Sequence, residues 1–110
     1  MPNATAMASE RALQSLAERN PAALDGLRAD PRLRDSLPAV LAASTFLLEA
    51  LASDTELWRL LRERSGAQLA GALPPPAVDG ADQPTFMAAL RTWRRREMAR
   101  IAWRDLAGWA

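Results

Sequence analysis

The stretch RTWRRREMARIAWRD, residues 91–105, decides how the rest of this chain is interpreted. It contains six arginines and two tryptophans, together with one glutamate and one aspartate. Three interpretations fit such a composition: an arginine-rich arm that binds nucleic acid, the solvated face of a helix, or a helix that packs against other parts of a protein. The remainder of the sequence has to distinguish them.

On a helical wheel at about 100° per residue, this stretch belongs to a long helix that is predicted to start near Pro84-Thr85. The predicted core face is one apolar stripe that consists of Phe86, Leu90, Trp93 and Ile101, with Met87 and Met98 at its edge. Glu97 lies inside this stripe, and a buried carboxylate is costly unless it is paired. We therefore expect either that the flanking arginines, Arg94, Arg100 and Arg104, pair with it or that a partner does.

The opposite face of the same helix carries Trp103, Leu106 and Trp109. A surface helix normally keeps one face polar, so this helix is predicted to be covered on two sides, by another domain, by a second copy of the chain, or by chain that is missing here. The sequence shows no C-terminal cap signal there, which predicts a truncated chain. Because Trp103 and Trp109 are expected to lack cover, the isolated chain is predicted to self-associate.

The charge balance weakens the nucleic-acid interpretation. The chain has 14 basic and 13 acidic residues, a formal net charge of +1, whereas nucleic-acid-binding domains carry an excess of basic residues. The arginines are offset by Glu56, Glu63, Glu97 and Asp105. We therefore predict no nucleic-acid partner, and we assign Arg91, Arg95 and Arg96 to a solvated face.

Composition also limits the chemistry. The chain has no cysteine and no histidine, which excludes disulfides, thiol nucleophiles and imidazole acid–base catalysis. The first residues lack the basic start and apolar core of a secretory signal. The longest apolar-rich run, residues 37–52, is shorter than a membrane-spanning helix. These features predict a cytoplasmic protein without a membrane partner.

The pattern along the chain predicts an all-α fold: a small irregular bundle of about four helices that ends in a long C-terminal helix. Before that last helix, helical segments are predicted over 10–19, 21–29, 37–52 and 56–64. Three regions follow from this division: an N-terminal helical region over 1–69, a Pro/Gly-rich linker over 70–84, and a long Arg/Trp-rich helix over 85–110.

Helix ends are predicted from capping residues. Ser9 is expected to cap the first segment, and Ser36 to cap the segment that contains Pro38, after a short turn over 31–35. Ser53-Asp54-Thr55-Glu56 has the spacing of a capping box. Asn20-Pro21, Asp30-Pro31 and Ser65-Gly66 are the expected breaks.

Two segments carry a family resemblance. LRTWRRREMARIAWRDLAG, residues 90–108, resembles a segment of the bifunctional glutamine synthetase adenylyltransferase/adenylyl-removing enzymes, with Thr92 and Trp93 where that family usually has Arg and Phe. ASTFLLEALASDTELWRLL, residues 43–61, resembles a second segment, although Thr45 replaces an Asp and Thr55 stands where Pro is common. The resemblance covers roughly residues 40–110.

The resemblance implies a much longer parent enzyme with two nucleotidyltransferase-type domains, dependent on ATP and Mg²⁺. One domain transfers AMP from ATP to a tyrosine of glutamine synthetase, and the other removes it by phosphorolysis in response to the PII signalling protein. The present chain is similar to the leading helical part of the adenylyl-removing domain, which lies N-terminal in the parent.

The catalytic motif of that family is a Gly-rich turn followed by closely spaced aspartates, and it does not occur in this chain. Asp79 and Asp82 are the nearest pair, and we interpret them as a solvated turn. We therefore predict no catalytic, cofactor-binding or metal-binding residue, no bound cofactor, and no activity for the 110-residue chain alone. The alternative is a stand-alone helical module for protein interaction.

Overall fold

The computed structural model describes residues 4–77, 79–80 and 82–110, and within these ranges it confirms the all-α class and the long last helix. Strands are absent from the described ranges, which hold six α-helices and a short 3₁₀ turn at Ser65–Ala67. The helices are, in chain order, α1 (Ala4–Arg19), α2 (Pro21–Arg28), α3 (Pro31–Ala43), α4 (Thr45–Ser53), α5 (Leu57–Arg64) and α6 (Gln83–Leu106).

The two proline-marked breaks occur where the sequence predicts them. The Asn20 side chain accepts a hydrogen bond from the backbone N–H of Ala23 at 3.3 Å and so caps α2. Its amide nitrogen donates to the backbone oxygen of Leu51 at 2.8 Å, which fixes this corner against α4. Asp30 caps α3 in the same way, with proline in the first turn of both helices.

The expected cap at Ser9 is wrong, because α1 already begins at Ala4. The preceding residues are rich in alanine, which favours helix more strongly than any other residue. Ser9 instead donates a hydrogen bond from its hydroxyl to the backbone oxygen of Pro38, at 3.0 Å. The residue therefore joins α1 to α3 and terminates neither.

The expected turn over 31–35 and the cap at Ser36 are also wrong, since α3 runs continuously from Pro31 to Ala43 with Pro38 inside it. A proline in a helix interior removes one backbone hydrogen bond and normally opposes such a helix. Here the free energy of burying one side of α3 outweighs that cost. It presents four buried apolar residues at helical spacing: Leu33, Leu37, Val40 and Leu41.

The single helix predicted over 37–52 is broken at Ser44. This residue is extended, with φ −141° and ψ 104°, and its hydroxyl accepts from the backbone N–H of Leu47 at 3.1 Å. The chain bends by 117° between α3 and α4. The apolar stripe read from the sequence is thus divided between two helices that approach the core from different directions.

The predicted capping box before α5 does not form. Glu56 occupies the N-cap position without a side-chain hydrogen bond, and the hydroxyl of Ser53 donates back to the oxygen of Glu49 at 2.7 Å. Asp54 takes the local role instead, because its carboxylate accepts from the backbone N–H of Glu56 at 3.0 Å. The predicted end at Ser65-Gly66 is confirmed.

The core is built mainly from leucines of α1 to α5, and α6 lies across it in contact with α3 and α4. Trp103 is fully buried in this core, and its indole N–H donates to the hydroxyl of Ser36 at 2.9 Å. Ile101, assigned by the sequence to the core stripe, is 53% exposed. The buried face of α6 is therefore turned by about a quarter of the wheel from the predicted one.

The C-terminal end of α6 also differs from its prediction, because it is capped. The backbone N–H of Trp109 donates to the oxygen of Arg104 at 2.9 Å, and that of Gly108 donates to Asp105 at 3.1 Å. Gly108 has φ 78°, so these bonds form a Schellman motif with glycine in the left-handed position. Trp109 folds back and packs, half-buried, against the core. The expectation that Trp103 and Trp109 lack cover is wrong.

Candidate functional site: the inward face of the last helix

Four side chains of α6 form a row at the spacing i, i+4, i+7 and i+11: Trp93, Glu97, Arg100 and Arg104. All four bind the backbone of residues 68–73, which we call the strap. Arg104 and Arg100 donate to the backbone oxygens of Gln68 and Leu69, at 3.0 and 2.7 Å. At the other end of the strap, Trp93 donates to the oxygen of Leu73 at 2.9 Å, and Glu97 accepts from the N–H of Leu73 at 2.6 Å.

The strap needs these partners because it has an irregular backbone that is partly buried. Gln68 and Leu69 have φ of 53° and 61°, a left-handed conformation that is costly for residues other than glycine. Leu69 is fully buried and Leu73 nearly so. Buried backbone groups that lack hydrogen bonds destabilise a fold, and α6 supplies the missing partners from its side chains. The row therefore holds the strap onto the bundle.

Glu97 and Arg100 form the centre of the row. Two nitrogens of Arg100, Nε and Nη2, each donate to the Glu97 carboxylate at 2.9 Å. The Glu97 and Arg100 side chains are only 12% and 8% exposed, respectively. The hydrogen bonds from Arg100 lower the pKa of Glu97 below its ordinary value, although burial acts in the opposite direction. The pKa of Arg100 is raised by the same pairing, so both groups remain ionised.

The predicted ion pairing of Glu97 is confirmed for Arg100 and wrong for the other two arginines. Arg104 reaches the strap instead of the carboxylate. Arg94 is exposed and forms no ion pair with any described residue. The reason is that the buried face of α6 differs by about a quarter turn from the predicted one, so that Arg94 points into solvent.

The assignment of Arg96 to a solvated face is wrong. Its Nε and Nη2 atoms donate to the two carboxylate oxygens of Asp54, at 2.7 and 3.0 Å. Burial alone would raise the pKa of Asp54, but the hydrogen bonds from Arg96 lower it. This bidentate pair joins α6 to the connection between α4 and α5. Arg91 and Arg95, in contrast, are exposed as predicted.

A groove of 350 Å³ lies between α6, α5 and the segment that follows Leu73. Its lining is mostly apolar, and it consists of Leu60, Leu73, Pro74, Pro76, Ala89, Thr92, Trp93 and Arg96. The one charged member, Arg96, is already bound to Asp54. The groove therefore offers mainly apolar contact area, and the hydroxyl of Thr92 in its lining donates to the backbone oxygen of Ala88 at 3.2 Å.

The described residues do not include a group of three Asp or Glu side chains close enough to hold a metal ion. Asp79 is exposed, and Asp82 caps α6 by accepting from the backbone N–H of Thr85 at 3.3 Å. Besides belonging to the turn that the sequence predicts, Asp82 therefore stabilises the start of α6 as its N-cap. That the chain carries no catalytic, cofactor-binding or metal-binding residue stays a prediction.

No single helix of the described ranges is long and apolar enough to cross a membrane. α3 and α4 reach that length and hydropathy only when they are taken together, and the bend at Ser44 separates them.

The sequence contains a signal for the row on α6 that the helical wheel does not weigh. A tryptophan, a carboxylate and two arginines at i, i+4, i+7 and i+11 share one face. The wheel places Trp93 and Glu97 on its predicted core face but centres that face on apolar residues, and so leaves Arg100 and Arg104 at the flank. Because polar side chains can bury themselves by binding backbone, an equally spaced polar row is also a packing signal.

Comparison with known proteins identifies relatives of this chain. A bifunctional glutamine synthetase adenylyltransferase/adenylyl-removing enzyme from Stenotrophomonas maltophilia is 36% identical over 101 residues, which cover 87% of this chain. The enzyme of the same name from Methylococcus capsulatus is 35% identical over 80 residues, 68% of the chain. The resemblance to this enzyme family is therefore confirmed.

A third enzyme of this name, from Nitrosococcus oceani, is 71% identical over 25 residues. The chain spans about a tenth of the length of the relatives from Stenotrophomonas and Methylococcus, 10% and 8% respectively. No family model and no solved structure matches the chain.

Proposed function

We propose that this chain is a helical part of an enzyme that adenylylates and deadenylylates glutamine synthetase in nitrogen regulation, a nucleotidyltransferase. The observation that carries the proposal is the similarity over 87% of the chain to an enzyme with these two activities. In the parent enzyme AMP passes from ATP to a tyrosine of glutamine synthetase and is removed again by phosphorolysis. Glutamine synthetase and the PII protein are the partners of the parent, in the cytoplasm.

The geometry supports a scaffolding role for this part of the enzyme. α6 is fixed to the bundle at three points: the strap, Asp54 and Ser36. A helix held in this way positions whatever packs on its remaining surface. The remainder of the parent chain packs on α6 in this proposal, and it supplies the catalytic carboxylates.

ATP and Mg²⁺ belong to the parent enzyme in this proposal. The described residues bring no three carboxylates together, and in this proposal the magnesium ligands lie in the remainder of the parent enzyme. No step of the reaction is therefore assigned to this chain. Its contribution is the shape and rigidity of the support.

A chimera tests the proposal. In the Stenotrophomonas enzyme, the segment that matches this chain is replaced by residues 1–110, and a deletion variant lacks the segment altogether. Both are assayed for loss of AMP from adenylylated glutamine synthetase in the presence of phosphate and Mg²⁺. We expect the chimera to retain activity and the deletion variant to lose it.

Three results would contradict the proposal. The first is a chimera as inactive as the deletion variant although it is folded by circular dichroism. The second is removal of AMP by the purified 110-residue chain alone, because that would place catalytic groups within it. The third is full activity of the deletion variant, because the segment would then support nothing.

A further inference from the structure

The outward face of α6 carries large apolar side chains that the described fold does not cover. Met87, Met98 and Ile101 are 43%, 58% and 53% exposed, and Leu90 between them is half-buried. Single exposed apolar residues are ordinary on protein surfaces, whereas several on one helix face are typical of an interaction site. Three of the five large exposed apolar side chains of the described residues lie on this one face.

The spacing along this face is that of a helix-packing seam. The positions 87, 91, 94, 98 and 101 follow one another at intervals of four, three, four and three residues. Such a pattern keeps side chains in line over several turns and suits a partner helix that lies alongside. The seam extends about 21 Å, from a rise of roughly 1.5 Å per residue.

The charges on the seam are unpaired. Arg91 and Arg94 occupy its middle, are exposed, and make no ion pair with any described residue. The arginines that stabilise this fold, Arg96 and Arg100, bind carboxylates on the inward side. The arginines of the seam thus lack the carboxylate partners that the inward ones have.

We infer that the seam is the docking surface for a helical segment of the remainder of the parent enzyme, with apolar residues against Met87, Met98 and Ile101 and carboxylates opposite Arg91 and Arg94. This inference rests on the proposed function. The relatives are about ten times longer than this chain, so most of such an enzyme lies outside it. Charge complementarity selects an acidic partner segment, because an arginine placed in a closed helix seam requires a carboxylate.

The test measures binding in trans, which keeps it separate from the activity of the chimera. The probe is the Stenotrophomonas enzyme without the segment that matches this chain, and its association with the 110-residue chain is followed by sedimentation velocity. We expect complex formation. The double variant Met98→Asp/Ile101→Asp should weaken it at least about tenfold, since two charges would enter an apolar contact.

Met7→Asp is the matched control, because Met7 is 41% exposed but lies on α1. It should bind like the wild-type chain, and circular dichroism should show all variants folded. Arg91→Glu/Arg94→Glu should also weaken binding, and its loss should be recovered in part by reversing charges on the acidic partner segment.

Three outcomes overturn the inference: no complex with the wild-type chain, equal weakening by the α1 and α6 variants, or a dimer of the chain alone that Met98→Asp/Ile101→Asp abolishes. The last would assign the seam to a second copy. An active chimera combined with any of these outcomes leaves the proposed function in place and rejects the seam. An inactive chimera with intact binding in trans rejects the proposed function alone.

Discussion

The Glu97–Arg100 pair gives the sharpest prediction on stability, and Glu97→Gln is the change that tests it. The amide keeps the size of the side chain but carries no charge. The Oε1 atom of Glu97 accepts from Leu73 and from Arg100, whereas Oε2 accepts from Arg100 alone. A glutamine whose side-chain oxygen takes the place of Oε1 keeps two of the three hydrogen bonds. The NH₂ group of that glutamine then faces a donor of Arg100.

The expected cost follows from what Arg100 loses. Removing one partner of a buried pair costs about 3–5 kcal/mol in general. Arg100 keeps its bond to Leu69, so the loss is closer to that of one charge-assisted hydrogen bond and its attraction, about 2–3 kcal/mol. With a urea m-value of about 1–3 kcal/mol/M, the unfolding midpoint should fall by about 0.7–3 M at pH 7.

The pH dependence of the destabilisation provides an independent check that the ionised form of Glu97 stabilises the fold. The pKa of Glu97 is lower in the folded chain than its ordinary value, so its contribution is present above the unfolded pKa, about 4.3. That contribution is lost as the pH falls through the folded value. The difference in stability between wild type and Glu97→Gln should therefore be full at pH 7 and shrink below about pH 4.3.

The assay is urea unfolding followed by tryptophan fluorescence at pH 7 and at pH 3. Glu63→Gln is the control, because the Glu63 side chain is 67% exposed and its carboxylate lies 3.8 Å from Arg64; it should change stability by less than about 0.5 kcal/mol. A Glu97→Gln protein within that margin of wild type would refute this reasoning. So would a destabilisation of equal size at both pH values.

Two further predictions concern packing and are measured by the same unfolding experiment. Gly26→Ala should lower the free energy of unfolding by about 1–3 kcal/mol, since the added Cβ would lie 2.2 Å from the ring of Trp58. Gly66→Ala is the control, because its Cβ would have nothing within 4 Å, and it should change stability by less than about 0.5 kcal/mol. Equal stabilities for the two variants would contradict the close packing of Gly26. Trp103→Ala should lower the free energy of unfolding by about 3–5 kcal/mol because the side chain is fully buried. Ile101→Ala, at a 53% exposed site, should lower it by less than about 1 kcal/mol. A larger loss for Ile101→Ala than for Trp103→Ala would show that α6 buries the face predicted from the helical wheel.

The all-α class was predictable because its signals are local. Alanine and leucine favour helix, and the breaks at Asn20-Pro21 and Asp30-Pro31 depend on residues that are adjacent in sequence. The Glu97–Arg100 pair was predictable for the same reason, since its members are three residues apart on one helix. These features need no knowledge of distant parts of the chain.

The sequence by itself thus determined the all-α class, the breaks at Asn20-Pro21 and Asp30-Pro31, and the Glu97–Arg100 pair. Only the tertiary structure decided where α3 begins, that the chain bends at Ser44, and which face each helix buries. α6 has large apolar residues on more than one side, so its own pattern does not select an orientation. The choice was made by contacts distant in sequence: the strap binds Arg100, Asp54 binds Arg96, and Ser36 receives Trp103. The same holds for α3, where the free energy of burying its leucines in a shared core outweighs the local cost of Pro38.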